Sequence, residues 1–431
     1  MSHLPTITEA QTQIATRRLS SVDLLEQCFA QIDHHEHDLR AWVRIERQAC
    51  RHFAEQLDDE AQRGQFRGPL HGIPIGVKDI IDVAGLPTLA GSTLPDSSAA
   101  LSDSPIVTQL REAGAIILGK TVTTEFACFD PSPTRNPWNH HHTPGGSSSG
   151  SAAAVAAGMC LAALGTQTGG SIIRPAAYCG VCGLKPTFGR LNMSGIVPVS
   201  TSLDHVGPIA GSVADLQVLF AVLSGEVPVV GGQDKPLRIG VIESVLEETS
   251  CQETVDLVRQ AINSLGDAGA LISKFTLPTG FGELREYHWR IMAREAADYH
   301  RRWFPQRRDV YGQRIAAMLD EGLAVTDEDY QEARSHQKHL SAEIDRAWGN
   351  IDVLLTPATP SPAPADLDTT GDPRFNSPWS YVGLPAVTFP IGLSASGVPI
   401  GVQWLGHRGE DQRLLSAACW GEQIAAFDHR V

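Results

Sequence analysis

Three segments of this chain carry residue types that could do chemistry. The first, Thr143-Pro-Gly-Gly-Ser-Ser-Ser-Gly-Ser151, runs directly into Ala152-Ala-Ala-Val-Ala-Ala-Gly158. Glycines ahead of a helix let backbone N–H groups face an anion, and serines add hydroxyl donors. No Lys-Ser/Thr follows the glycines as a P-loop requires, and there is no Gly-x-Gly-x-x-Gly, which argues against a nucleotide cradle. A flexible Gly/Ser linker fits poorly too, because a strongly apolar helix follows at once. The second segment is Gly165-Thr-Gln-Thr-Gly-Gly-Ser-Ile-Ile-Arg-Pro175. Ser171, preceded by two glycines, can stand on a sharp turn with its hydroxyl exposed and consecutive N–H groups free for a developing oxyanion. That is a nucleophile site by type, without the Gly-x-Ser-x-Gly elbow. A Ser-His-Asp triad would need one His chosen from sixteen, and the sequence does not make that choice. The third is Lys78, which ends the apolar run Gly72-Ile-Pro-Ile-Gly-Val-Lys78. Burial there lowers a lysine's pKa and frees the neutral amine to act as a base; taken alone, a structural lysine fits the position equally well.

The elements that must position these segments alternate. Residues 1–65 read as helical, with Leu25, Cys28 and Ile32 on one face behind a Ser20/Ser21 cap, forming an outer layer. From Gly72 onward short apolar strands follow, including Ala115-Ile-Ile-Leu-Gly119, with a helix starting at Ser104-Pro105 between them. The small-apolar stretch Ala152 to Leu164 reads as a buried helix, too short to span a membrane. A strand at Leu237-Ile242 precedes a long helical stretch from Glu253 to about Asn350. Strands are expected at Val353-Leu355, Ala386-Phe389 and Gly401-Trp404, and a closing helix over Asp411 to Ala425. The Pro-rich run Thr356 to Pro364 sits just after a strand and reads as an ordered loop rather than a polyproline ligand. No repeat or low-complexity linker divides the chain, so a single α/β domain over 1–431 is expected.

Composition narrows the function. With 431 residues, 42% hydrophobic and 19% charged, the chain can build a large core and is not globally disordered. A net charge of −15 repels phosphate backbones, and no Lys/Arg run exceeds two residues, so nucleic acid is not an expected partner. The N-terminus lacks a basic and apolar leader, so a cytoplasmic location and no membrane association are expected. Eight scattered cysteines read as free thiols. Cys179-Gly-Val-Cys182 lacks a second ligand pair for zinc, and His140-His-His142 reads as a loop rim rather than a metal tract.

Together the three segments resemble the amidase signature family. The stretch from Pro144 to Pro186, with Cys179-Gly-Val-Cys-Gly-Leu-Lys-Pro-Thr-Phe-Gly-Arg190, follows that family's Gly/Ser-rich signature. Shorter matches are Pro69-Leu-His-Gly-Ile-Pro-Ile-Gly-Val-Lys-Asp79, Ser202-Leu-Asp-His-Val-Gly-Pro208, Asp352-Val-Leu-Leu-Thr-Pro357 and Gly383-Leu-Pro-Ala386. The resemblance implies an α/β/α domain around a mixed, twisted sheet of about ten or eleven strands. On that pattern residues 1–65 form the N-terminal layer, 66–225 the signature core, 245–345 a variable helical segment and 346–431 the C-terminal part of the core. It also implies a Ser-cisSer-Lys triad with Ser171 as nucleophile, Ser147 as bridging serine after a cis peptide bond and Lys78 as general base. Backbone N–H groups of Thr168, Gly169, Gly170 and Ser171 are the implied oxyanion hole, and Ser148 a supporting hydrogen-bond partner.

Two departures stand out: Gln167 occupies the place of the usual Asp, and Ile173 followed by Arg174 replaces an Arg two residues after the nucleophile. The activity implied is hydrolysis of a carboxamide C–N bond through an acyl-enzyme with no metal or cofactor, on a small-molecule amide, ester or carbamate (urethane), by a monomer or homodimer. The alternatives are the glutamine-hydrolysing component of a glutaminyl-tRNA amidotransferase, which needs partner subunits, and a non-catalytic binding protein on the same fold. The segment 245–345, with Trp289 and Trp303, is expected to wall the substrate pocket.

Overall fold

A computed structural model describes residues 4–94, 98–227 and 235–427. Eleven strands form one sheet: β1 (Trp42–Ile45), β2 (Pro74–Lys78), β3 (Ile116–Thr121), β4 (Ala162–Gln167), β5 (Cys182–Lys185), β6 (His205–Ala210), β7 (Arg238–Val241), β8 (Leu271–Lys274), β9 (Val353–Pro357), β10 (Ala386–Leu393) and β11 (Pro399–Leu405). Their spatial order is β1-β3-β2-β4-β6-β5-β10-β11-β9-β7-β8. The sheet is mixed: β2 runs parallel to β3 and β4, and β7 parallel to β8 and β9, while β4–β6, β5–β6, β5–β10, β10–β11 and β9–β11 are antiparallel.

The period-2 alternation of strand side chains divides the core between two faces. In β3, Ile116 and Leu118 pack with the helices Ser21–Leu39, Arg47–Gln62 and Ser149–Ala156, whereas Ile117 joins the cluster containing Ile7–Ala15, Pro105–Glu112 and Val213–Ser224. Ala163 and Ile209 repeat the first choice, and Leu164 and Ala210 the second. Both faces are covered by helices, which is why the central strands are buried at every residue. The Ser21–Leu39 helix shows how the sequence specifies this layer. Leu24, Leu25, Cys28, Phe29 and Ile32 fall on its buried stripe, and Ser20 caps it by accepting from Asp23 N at 2.9 Å, a contact worth about 1 kcal/mol.

Three expectations need correction. The N-terminal layer is not all helical: β1 interrupts it and pairs antiparallel with β3 at the sheet edge. Ala152 to Leu164 is not one helix: it is the end of Ser149–Ala156, a turn at Gly158, and the start of β4. The stretch after Glu253 is broken by β8, whose four side chains are all exposed at the opposite edge, so no apolar alternation marks it. The Pro-rich run after β9 is an ordered loop with its backbone tied in at both ends, Ala358 N to Gly401 O at 3.0 Å and Pro364 O accepting from Thr143 N at 3.0 Å.

The helix Ser149–Ala156 is buried on all sides except at Ala156, and Gly150 is what admits it. A Cβ on Gly150 would run into the backbone of Ala41 and Val122, neither of which can rotate away. Gly150→Ala is therefore predicted to lower stability by about 2 kcal/mol or more in urea denaturation, while Gly211→Ala, with open space around the added methyl, should stay within about 0.5 kcal/mol of the parent.

Candidate active site

Lys78 ends β2 in the middle of the sheet and is fully buried. Its Nζ lies 2.7 Å from Ser147 Oγ and 2.8 Å from Thr166 Oγ1, the latter on neighbouring β4. Neither partner is charged. Desolvation pushes the Lys78 pKa down to about 7, with Asp204 pulling weakly the other way. An amine at that value is substantially neutral at physiological pH and has a lone pair to accept a proton.

Ser147 follows a cis Gly146–Ser147 peptide in the loop that leads into the Ser149–Ala156 helix. Its carbonyl accepts from Thr124 N at 3.3 Å. Ser148 stitches this loop to the others: its Oγ donates to Thr166 O and accepts from Thr166 N, at 3.3 and 3.2 Å, and its N–H donates to Ser171 O at 3.3 Å. The candidate base, bridge and nucleophile thus hang on β2, β4 and the loops joined by one serine. Ser149 turns away and shares a hydrogen bond with Ser132 Oγ at 2.7 Å.

The loop from Thr168 to Ser171 is held from outside by side chains. Thr168 Oγ1 donates to Asp204 Oδ1 at 2.5 Å, and His288 Nε2 donates to Thr168 O at 3.1 Å. Ser380 Oγ donates to Gly169 O at 2.8 Å. Gln167 Nε2 donates to Ser380 Oγ at 3.0 Å, while its Oε1 accepts from Ile172 N and Ile173 N at 2.9 and 3.0 Å. Gln167 is thus a neutral brace at a position where an acid is usual. The N–H groups of Gly169, Gly170 and Ser171 make no hydrogen bond among the described residues, which leaves them available to an oxyanion. Ser171 is half-buried, the most accessible of the three serines 147, 148 and 171.

Burial pushes the Asp204 pKa up to about 6, against hydrogen bonds from Thr168 and from the N–H groups of Ser200 and Val199. Burial pushes His288 down to about 4, so it is neutral and donates to Thr168 O. Sequence reading missed Thr166, Asp204, His288 and Ser380. Asp204 lay within the quoted Ser202-Leu-Asp-His motif, and Thr166 beside the glycine-serine turn. His288 had no signal: it stands on the helix Leu284–His300, in the variable segment. Trp289, next to it, lines a cavity of about 390 Å³ with Phe129, Arg314, Met318 and Thr370. Trp303 lies elsewhere, against Arg302 and Tyr299. His142 of the His140–His142 tract bonds Ala363 O at 2.6 Å through Nδ1, while His140 and His141 are exposed. The eight cysteines are free thiols. No helix among the described residues is long and apolar enough to cross a membrane.

The eleven-stranded mixed sheet and this site belong with a hydrolase of the amidase type. The amidase family's sequence model matches residues 23–415. The chain is 35% identical to an amidase of Pseudomonas putida, over 100% of this chain and 98% of that one. It is 33% identical to a glutamyl-tRNA(Gln) amidotransferase subunit of Prochlorococcus marinus (strain MIT 9211), covering 97% of each. A native peptide amidase structure from Stenotrophomonas maltophilia superposes with a TM-score of 0.83 at 31% identity, over 97% of this chain and 96% of that one. The chain belongs to the amidase family and is a hydrolase acting on amide bonds.

The burial of Lys78 sets a pH dependence. Reaction of Ser171 with a fluorophosphonate is predicted to slow about tenfold per unit below pH 7, as Lys78 takes up a proton, and to level off above it. Because the Asp204 charge raises the Lys78 pKa, Asp204→Asn should move that midpoint to lower pH; a midpoint that stays put or rises contradicts this electrostatic coupling.

Proposed function

We propose that the protein is a stand-alone amidase that cleaves a carboxamide C–N bond through an acyl-enzyme on Ser171. The observation that carries the reading is the 2.7 Å approach of a buried, charge-unpaired Lys78 amine to Ser147 Oγ. In this mechanism neutral Lys78 takes the Ser147 hydroxyl proton as Ser147 takes that of Ser171, and Ser171 Oγ bonds to the substrate carbonyl carbon. The carbonyl oxygen becomes an oxyanion facing the N–H groups of the Thr168–Ser171 loop, each donor worth about 3 kcal/mol in the transition state. The C–N bond then breaks and the amine leaves with a proton from Ser147, which Lys78 replenishes. Water adds to the acyl-enzyme by the same proton relay and releases the carboxylic acid and free Ser171.

Esters and carbamates present the same carbonyl to the same relay and belong to the proposed substrate range. The 33% identity to an amidotransferase component supports a second reading, in which the chain releases ammonia from glutamine within a larger assembly. Gln167 and Ile173, which depart from the pattern of the family, favour the stand-alone enzyme.

The test is labelling by a fluorophosphonate probe, read by intact mass and peptide mapping. One adduct on Ser171 is expected in the parent, none in Ser171→Ala, and labelling slowed by about 100-fold or more in Lys78→Ala. An adduct on another serine, or an undiminished rate in Lys78→Ala, would overturn the assignment of the triad. Ammonia release from glutamine only when partner subunits are added would move the function to the amidotransferase.

A further inference from the structure

The peptide joining Gly169 to Gly170 has no Cβ on either side to resist its rotation. It is nevertheless held. Ser380, on the short helix Ser377–Tyr381, donates its hydroxyl proton to Gly169 O at 2.8 Å. In a trans peptide the N–H points opposite to the carbonyl of the same unit, so the direction of Gly169 O sets that of Gly170 N–H. That N–H is one of the three on the Ser171 turn that make no hydrogen bond among the described residues.

The polarity of this contact is fixed further back. Gln167 Oε1 accepts from Ile172 N and Ile173 N at 2.9 and 3.0 Å. Backbone N–H groups only donate, so the amide oxygen must face them and Nε2 must face Ser380. Nε2 then donates to Ser380 Oγ at 3.0 Å, which leaves the single Ser380 proton for Gly169 O. Gln167 and Ser380 are each 1% exposed, so water does not replace either link. A carboxylate at 167 would reverse the chain: it has nothing to donate, and a charged acceptor outcompetes a carbonyl for the one Ser380 proton. Gly169 O would lose its partner. Thr168 O and Gly170 O, by contrast, are held by His288 Nε2 and Arg174 N, neither of which is bonded to Gln167.

We propose that Gln167 and Ser380 are positioning residues for acyl transfer: the directed chain from Gln167 Nε2 to Ser380 Oγ to Gly169 O aims the Gly170 N–H at the oxyanion, and it does so only while residue 167 is a donor. An amide, unlike an acid, keeps that polarity at every pH. The proposal rests on the reading of Ser171 as the nucleophile.

The experiment is the rate of fluorophosphonate labelling of Ser171 from about pH 5 to about pH 9, taken as the ratio of each variant to the parent so that the Lys78 limb cancels. The phosphoryl oxygen of the probe gains negative charge during attack, as a carbonyl oxygen would. Ser380→Ala should lower the rate about 10-fold or more at every pH, and Ser380→Thr, which keeps a hydroxyl, should restore most of that loss. Gln167→Glu should label near the parent's rate at the acid end, where a protonated carboxyl donates as the amide does, and fall about 10-fold or more below it at the alkaline end. In the double variant Ser380→Ala/Gln167→Glu that alkaline fall should vanish, because no Ser380 proton remains to be diverted. The other titratable and charged groups around the turn are Lys78, Asp204, His205, His288, Tyr381 and Arg174, and they are common to every variant. A fall that persists in the double variant is the mark of a buried charge acting on packing alone and overturns the proposal. So does a flat Gln167→Glu ratio, or a Ser380→Ala rate equal to the parent's. If Gln167→Glu does not fold, Ser380→Ala against Ser380→Thr decides, and equal rates overturn it. Normal labelling in the parent with unaltered variants removes this proposal alone, whereas no Ser171 adduct in the parent removes the nucleophile and this proposal with it.

Discussion

The site depends on keeping an amine out of water. Lys78 stands at the end of a central strand, covered by helices on both faces of the sheet, with two hydroxyls and no carboxylate within reach of its Nζ. Nearby Lys120 shows the alternative. It is as deeply buried, but it pairs with Asp79 at 2.9 Å and also donates to Pro87 O and Thr88 Oγ1. One buried lysine is thus held in an ion pair by Asp79, while Lys78, the residue just before that aspartate, is left without one. Burial disfavours the charged form in both, but only an amine without a paired carboxylate is free to cycle its proton.

Everything else in the site serves to hold neutral groups around that amine in fixed places. Ser148 ties the Ser147 loop to β4 and to Ser171. His288, Ser380 and Gln167 grip the backbone of the 167–173 turn and Asp204 holds its Thr168 hydroxyl, which fixes the turn in advance of any charge that develops there. The helix Leu284–His300 joins this shell twice, through His288 and through Glu295, whose carboxylate collects Ser200 Oγ, Ser202 N and Oγ, and Tyr330 Oη at 2.6 to 2.9 Å. The helix Leu284–His300 therefore steadies the Thr168–Ser171 loop and the neighbouring 200–202 turn together.

Much of this was legible in the sequence because the signature segments are locally distinctive. Glycines at 145, 146, 150, 169 and 170 and serines at 147, 148 and 171 are crowded where backbones approach closely, and no bland element needs that composition. The closing helix and the central strands followed from apolar pattern. What escaped had no local pattern to find. β1 and β8 are four-residue edge strands, one lodged between helices and one fully exposed, so neither shows alternation. The Ala-rich run hid a helix-to-strand switch because alanine suits a close-packed helix and a buried strand alike. His288 was invisible because its role comes from packing against Thr168, 120 residues away in the chain.

The central claim is that Lys78 is neutral at working pH, and it can be measured directly. The chain has only six lysines, at 78, 120, 185, 235, 274 and 338, so the carbon-13 NMR spectrum of protein labelled at lysine Cε is simple enough to titrate, with Lys78→Arg identifying the resonance of interest. Lys185, also buried and pushed down to about 7, makes that assignment essential. The account predicts that the resonance lost in Lys78→Arg titrates with a midpoint near 7. A midpoint near the ordinary lysine value of about 10.4 would mean that Lys78 is a cation at neutral pH, and would contradict its role as the base.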